Sequence, residues 1–273
     1  MGYKVMEIYR DLPKTNCKEC GKPGCLPFAT AVYLEGFPLS KCPYLGPEKL
    51  EEMEEKLAEE RRKEQNPKQE SVVQALAFLT EKIKEHDMQD AARKTGGEYV
   101  KGPPEAVRLK LLGKDHLVSR DGVSTEDGGT PVPALAVLLL IYVTRATGVK
   151  PSRKWKAFRE LPNTMSKAGQ YEEVAAGIAR RFSGAEEDLK RAAEGLGGVA
   201  AGPESADFEY VFDALPRVNL RLLFWAADED FDARASLLLD DTVLEYLDQE
   251  AIVFLAEVLA ALLAGEDVSE INP

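Results

Sequence analysis

The sequence predicts an α+β protein: a small helical four-cysteine module, a charged connector helix, and a larger domain of antiparallel sheet packed with helices. Three observations carry that prediction. All four cysteines of the 273-residue chain fall between Cys17 and Cys42. An almost wholly charged stretch follows them. Beyond it, short β-rich runs joined by tight turns alternate with longer apolar helical runs. The expected boundaries are residues 1–46, 47–70 and 71–273.

The first part is rich in Cys, Pro and Gly, with short helical signals. After Cys25, Pro27 stands where a first helical residue would, Phe28, Ala31 and Val32 share a face, and Gly36 can supply a left-handed cap. In the connector, Leu50, Met53 and Leu57 recur at helical spacing among charges. The pairs Glu52–Lys56 and Glu59–Lys63 support a solvated helix, which Asn66–Pro67 is expected to end.

A capped helix is then expected over Ser71–Glu85, with Val72, Val73, Leu76, Leu79 and Ile83 as its apolar positions. "VRLKLLGKDHLVS" reads as two strands joined at Gly113–Lys114–Asp115. Pro131–Thr147 reads as a buried helix ending at Gly148. "FEYVFDALP", "VNLRLLFWAA" and "ASLLLDD" read as strands, the last two forming a hairpin around Asp228–Asp232. Thr242–Ala264 gives two closing helices. "GGEYVKGPPE" and "GLGGVAAG" lack the strand–turn–helix order and the Lys-Ser/Thr of a phosphate loop and are read as loops.

Composition narrows the function. With 44% hydrophobic and 30% charged residues the chain is an ordinary globular protein. A formal charge of −12 leaves no basic field to bind nucleic acid or an anionic membrane. The start, MGYKVMEIYRDLPK, has no signal-peptide core. The apolar runs Val132–Val143 and Ala251–Ala264 are shorter than the roughly 20 residues a membrane span needs. No membrane insertion is expected, and a cytoplasmic location, which disfavours disulfides, is.

The cysteines are spaced Cys17-x2-Cys20-x4-Cys25-x16-Cys42, with Pro43 after the last. A helix starting just after Cys25 would aim amide N–H groups at the thiolates, and its dipole would favour an anionic group there. Gly21 and Gly24 allow a close wrap, and proline follows the closing ligand in bacterial ferredoxin runs. The pattern points to a 4Fe–4S cluster. A four-cysteine zinc site is the rival, but zinc modules offer two close ligand pairs, and Cys25 and Cys42 are separated by a helix-length insert.

The stretch "LPKTNCKECGKPGCLPFATAVYLEGFPLSKCPYL" resembles the 4Fe–4S module of the corrinoid/iron–sulfur protein large subunit of the acetyl-CoA pathway, and that of the B component of Rnf-type electron-transport complexes. The likeness rests on the cysteine spacing, the LPxTNCxxCG lead-in, the small-residue helix and the closing Cys-Pro. It implies that Cys17, Cys20, Cys25 and Cys42 ligate one cluster that passes single electrons, and in the corrinoid relatives such a module serves to re-reduce cobalt. Residues 90–265 resemble a domain of uncharacterised function that often follows this module in anaerobes, through "KWKAFRELP", "ALPRVNLRLLFWAADEDFDA" and "LLLDDTVLEYL". The chain lacks the Asp-x-His-x-x-Gly signature of His-on cobalamin binding.

In the second domain, Trp155, Phe158, Arg159, Trp225 and Phe231 are candidates for the wall and rim of a cobalamin (corrinoid) pocket; a core role for the aromatics and a solvated turn at Asp228–Asp232 are the plainer readings. His86 and His116, the only histidines, read as a surface residue and a structural residue. The leading expectation is an electron-transfer or corrinoid-binding protein rather than a catalyst, delivering single electrons to a centre, a corrinoid first, bound by its C-terminal domain or by a partner. Its partner would be a redox protein, such as a corrinoid protein or a methyltransferase system. The alternative is an interaction module that docks the cluster onto a methyltransferase, dehydrogenase or electron-transport partner with no ligand of its own.

Overall fold

The computed structural model describes residues 3–34, 36–202, 205–268 and 271, without the side chains of 59 and 61–70. The chain divides into two compact units, Met1–Ser71 and Val72–Pro273.

The first unit is helical. Helix α1 (Val5–Asp11) packs on α2 (Cys25–Leu34), with a 3₁₀ turn at Leu39–Lys41. Ile8, Leu12, Phe28, Ala29, Val32, Leu39, Met53 and Leu57 bury together as its core, which also contains Cys25 and Cys42. The apolar positions expected of the connector therefore work as core residues. Charges hold the rim: Asp11 accepts from Tyr3 Oη at 2.7 Å and pairs with Lys49 Nζ at 3.1 Å, while Glu52 pairs with Lys56 at 2.5 Å. Such exposed pairs are screened by solvent and add little to stability. The Glu59–Lys63 pair lies outside the described residues.

Helix α3 is one helix, Pro47–Ile83. The expected stop at Asn66–Pro67 and fresh start at Ser71 do not occur. Proline removes one N–H and crowds the carbonyl four residues back, but this weakens a helix without forbidding it when the flanking residues are strong helix formers.

The second unit holds two antiparallel sheets where one was expected. The first is a meander, β1 (Glu98–Val100), β2 (Ala106–Leu111), β3 (Lys114–Ser119) and β4 (Gly122–Thr125), in that order. The β2–β3 turn falls on Leu112 and Gly113, both at positive φ, one residue earlier than the sequence suggests. Buried Leu112 donates its N–H to Ala214 O at 2.9 Å, so tertiary packing holds a side chain where a turn would prefer Asn or Gly.

The second sheet has the order β5-β9-β8-β7-β6. These strands are β5 (Trp155–Ala157), β6 (Val199–Ala201), β7 (Phe208–Leu215), β8 (Val218–Trp225) and β9 (Arg234–Asp240). Alternation sends Phe212, Leu220, Leu222, Phe224, Leu237 and Leu239 into the core. That core is closed by α6 (Ala168–Phe182) and α8 (Gln249–Ala264), with α5 (Pro133–Arg145), α4 (Met88–Thr95) and α7 (Glu186–Gly195) completing it. The two segments read as loops each carry an edge strand, β1 and β6. Their glycines permit close approach: a Cβ on Gly97 would lie 2.6 Å from Leu109 Cδ2, and one on Gly198 2.7 Å from Phe212 Cε1.

Among the described residues no helix is long and apolar enough to cross a membrane.

Candidate metal centre

Cys17 and Cys20 lie on the loop between α1 and α2, Cys25 opens α2, and Cys42 follows the 3₁₀ turn. All four thiols are free; Cys25 and Cys42 are buried, Cys17 and Cys20 half-buried. Burial pushes the Cys42 thiol up, the Tyr44 backbone N–H acts against that, and the nearby Cys20, Cys25 and Cys17 raise it further. The fold thus brings the four within electrostatic reach of one another. Among the described residues, no three His, Cys, Asp or Glu side chains close tightly enough on one point to hold a single metal ion.

The loop has an unusual backbone. Lys14 (φ 57°), Asn16 (φ 51°) and Lys18 (φ 67°) are left-handed, as is Gly21 (φ 81°). Non-glycine residues there cost about 1 kcal/mol or more each, so packing or hydrogen bonding must hold them. At Asn16 both partners are visible: its Oδ1 accepts from Cys25 N at 2.9 Å, and its own N–H donates to Cys25 Sγ at 3.4 Å. Asn16 therefore caps α2 and supplies one N–H to sulfur. Turns that place such residues along a loop make concave nests of N–H groups, which suit anions and iron–sulfur sites. Gly24 is required by closeness, since a Cβ there would sit 3.0 Å from Asn16 Oδ1. Helix α2 begins at Cys25 itself, slightly earlier than expected, with Pro27 in its first turn where a missing N–H does no harm. Tyr44 Oη donates to Glu19 at 2.7 Å and ties the Cys42 segment to the Cys17–Cys20 loop. Four thiols, an amide N–H already directed at sulfur and a helix N-terminus fit a thiolate-bound, anionic metal group.

Sequence reasoning gave Asn16 no role. The available signal was an Asn before the first cysteine, the residue type most tolerant of left-handed backbone.

The five aromatic and basic candidates of the second unit do not meet in one cavity. Trp155 pairs with Asp240 and Trp225 with Arg234, at opposite ends of β9 and so about 20 Å apart. Trp155 has the Arg221 guanidinium 5.8 Å from its ring; Trp225 and Phe231 share Arg234 instead. Phe158 is a core residue stacked 4.4 Å from Tyr171, beside a cavity of about 100 Å³. Arg159 is exposed and paired with Glu172. The length of a whole strand separates the two tryptophans, which linear spacing does not reveal. His86 is half-buried with its pKa lowered, mainly by desolvation; burial likewise lowers that of His116, which is 5% exposed in β3 with Nδ1 3.1 Å from Lys114 O.

Comparison with known proteins agrees with the cysteine loop. A family model described as "Putative Fe-S cluster" matches residues 12–44. The same module is shared with the acetyl-CoA decarbonylase/synthase complex subunit gamma of Methanocaldococcus jannaschii, 44% identical over 55 residues, or 20% of this chain and 11% of that protein. The corrinoid/iron-sulfur protein large subunit of Moorella thermoacetica is 50% identical over 40 residues, 15% of this chain and 9% of that one. The B component of the ion-translocating oxidoreductase complex of Pectobacterium atrosepticum is 42% identical over 53 residues, 19% and 28% respectively. The chain thus spans little more than a quarter of any of these relatives, and in most far less. No solved structure matches. A second family model covers residues 87–262, well over half the chain and nearly all of the two-sheet unit; the protein belongs to the family described as "Domain of unknown function (DUF3786)", here joined to an N-terminal iron–sulfur module.

Proposed function

We propose that Cys17, Cys20, Cys25 and Cys42 hold one 4Fe–4S cluster and that the protein delivers single electrons to a redox centre on a partner, a corrinoid being the first candidate. The observation that carries this reading is the gathering of four free thiols around the α2 N-terminus, on a loop whose strained backbone is held by Asn16. When bound, the cluster supplies one-electron chemistry. The chain's own contribution is to keep two of the ligands out of water and to direct N–H groups at sulfur, which stabilises the anionic group. The corrinoid enters from a relative named for one, and the scatter of Trp155, Phe158, Arg159, Trp225 and Phe231 favours a corrinoid carried by the partner over one bound by this chain.

The test is the iron, acid-labile sulfide and zinc content of anaerobically purified protein, with EPR after dithionite reduction. About four irons and four sulfides per chain with a reduced S = 1/2 signal are expected. One zinc and no sulfide would overturn the redox reading. A cobalamin titration of the same sample should leave its spectrum unchanged; a clear change would return the corrinoid to this chain.

A further inference from the structure

Helix α2, CLPFATAVYL, carries no charge from end to end. A surface helix ordinarily turns charged residues to water, and one that is apolar all round is ordinarily buried. The inner face of α2 is Cys25, Phe28, Ala29, Ala31 and Val32, all buried in the module. With 3.6 residues per turn the other five positions, Leu26, Pro27, Thr30, Tyr33 and Leu34, form one continuous outer face. Leu34 is 70% exposed and Leu26 43%. An uncharged helix face left open calls for something to cover it.

Two observations indicate what. The first is place. The face begins one residue after Cys25, and Tyr44, also exposed, stands two residues after Cys42. The Tyr44 hydroxyl, bonded to Glu19, is pushed up chiefly by that carboxylate and also by Cys17 and Cys42, so it lies within electrostatic reach of both thiols. Cys17 and Cys20 are only half-buried. Electron transfer falls off steeply with distance, so a redox partner must cover the surface nearest the cysteines.

The second is charge. Residues 12–46 hold Lys14, Lys18, Lys22 and Lys41 against Glu19 and Glu35, a local positive excess in a chain of net charge −12. Lys18 adjoins Cys17 and Lys41 adjoins Cys42; both are exposed, and among the described residues neither has an ion-pair or hydrogen-bond partner. By contrast, Lys49 and Lys56 of α3 are both paired with Asp11 and Glu52. An apolar patch with a charged rim is the anatomy of a protein interface, and the rim charges steer a partner of opposite sign. A lipid surface fits less well: a membrane-surface helix has a strongly cationic polar face, α2 has no charge at all, and the net charge opposes anionic lipid.

We propose that the outer face of α2, with Tyr44 beside it and Lys18 and Lys41 as its rim, docks a redox protein whose own centre is ringed by carboxylates. This assignment rests on the electron-transfer reading of the metal centre and adds to it the face used and the chemistry of the partner.

The experiment pairs the full-length, cluster-loaded protein with flavodoxin, a small acidic electron carrier, and with cytochrome c, a basic one. Stopped flow times electron transfer from the dithionite-reduced protein between about 0.1 M and about 0.5 M salt. Carbodiimide, which joins lysines to carboxylates, maps the contact without any redox step. At about 0.1 M the Debye length is about 10 Å, so charges beside the contact outweigh the net charge. The rate to flavodoxin should fall as salt rises, with cross-links at Lys18 or Lys41. Lys18→Glu/Lys41→Glu should slow flavodoxin by about tenfold at the lower salt, leave cytochrome c undiminished and keep the wild-type iron content. Leu34→Gln, which changes no charge, should slow flavodoxin by about fivefold at both salt concentrations.

Absence of iron and sulfide would overturn the electron-transfer reading itself. A loaded cluster whose transfer to flavodoxin speeds up with salt, is unchanged in the variants, or gives cross-links only outside residues 12–46 would overturn the docking face alone. Self-association lost in Leu34→Gln would give the face to a second copy of the chain. Co-sedimentation with phosphatidylglycerol vesicles, lost in the same variant, would give it to a lipid surface. Either result would overturn the redox-partner assignment.

Discussion

Asn16 shows how one polar residue can serve geometry and chemistry together. Its side chain caps α2, its N–H reaches the Cys25 sulfur, and its left-handed backbone turns the loop toward the thiols. Asn16→Ala removes the cap and makes the left-handed conformation costlier, for a combined loss of about 1–2 kcal/mol. Iron release to a chelator should be faster in that variant than in wild type, with the unfolding of the second unit unchanged. Asp240 plays the matching role in the two-sheet unit. Burial alone would raise its carboxyl, but the Thr242 hydroxyl and the Thr242, Ser152 and Arg153 amides outweigh burial and hold it below the usual range. Its contribution is therefore present above the unfolded value near 3.8 and lost as pH falls below it. Asp240→Asn should cost about 3 kcal/mol at pH 7, because an amide NH₂ would face backbone donors. It should also flatten the fall in stability below about pH 4, as followed by urea unfolding across pH. An equally steep acid dependence in the variant would remove Asp240 as its source.

At the scale of elements, β8 is the spine of the second sheet. Val218, Leu220, Leu222 and Phe224 are fully buried, and the strand is paired on both sides. Leu222→Ala should therefore cost about 2–5 kcal/mol, seen as a lower midpoint in denaturant. Hydrophobic alternation made β7, β8 and β9 legible from sequence. It failed for β1, β5 and β6, each of three residues, because a run that short shows no period and is a strand only through its neighbour. Helix α3 erred in the opposite direction: Pro67 is a strong local signal for a stop, and the helical preference of the residues around it prevails.

On the scale of the whole molecule, each unit carries its own core: one around Ile8, Phe28 and Met53, the other around Leu138, Phe224 and Leu255. Residues 72–273 retain Leu79, Ile83 and the complete pair of sheets. Expressed alone, they should unfold cooperatively at a temperature that chelators do not alter. In the full chain, stripping the iron should increase amide exchange within residues 3–57 and leave the two sheets protected. Exchange that rises equally in both units would mean that they fold as one.

The sequence by itself determined that a module of the kind described as "Putative Fe-S cluster" stands first, because four cysteines and a helix start within 26 positions are a local pattern in which spacing dictates reach. It also determined the α+β class, through alternating and helical periods long enough to read. Tertiary structure alone decided which outward-facing side chains stand together. It set the two tryptophans at opposite ends of β9. The physical reason is that strand register and loop clamping depend on hydrogen bonds between residues far apart in the chain, 88 positions in the case of Ser152 and Asp240, and such pairings leave no periodic trace along the sequence.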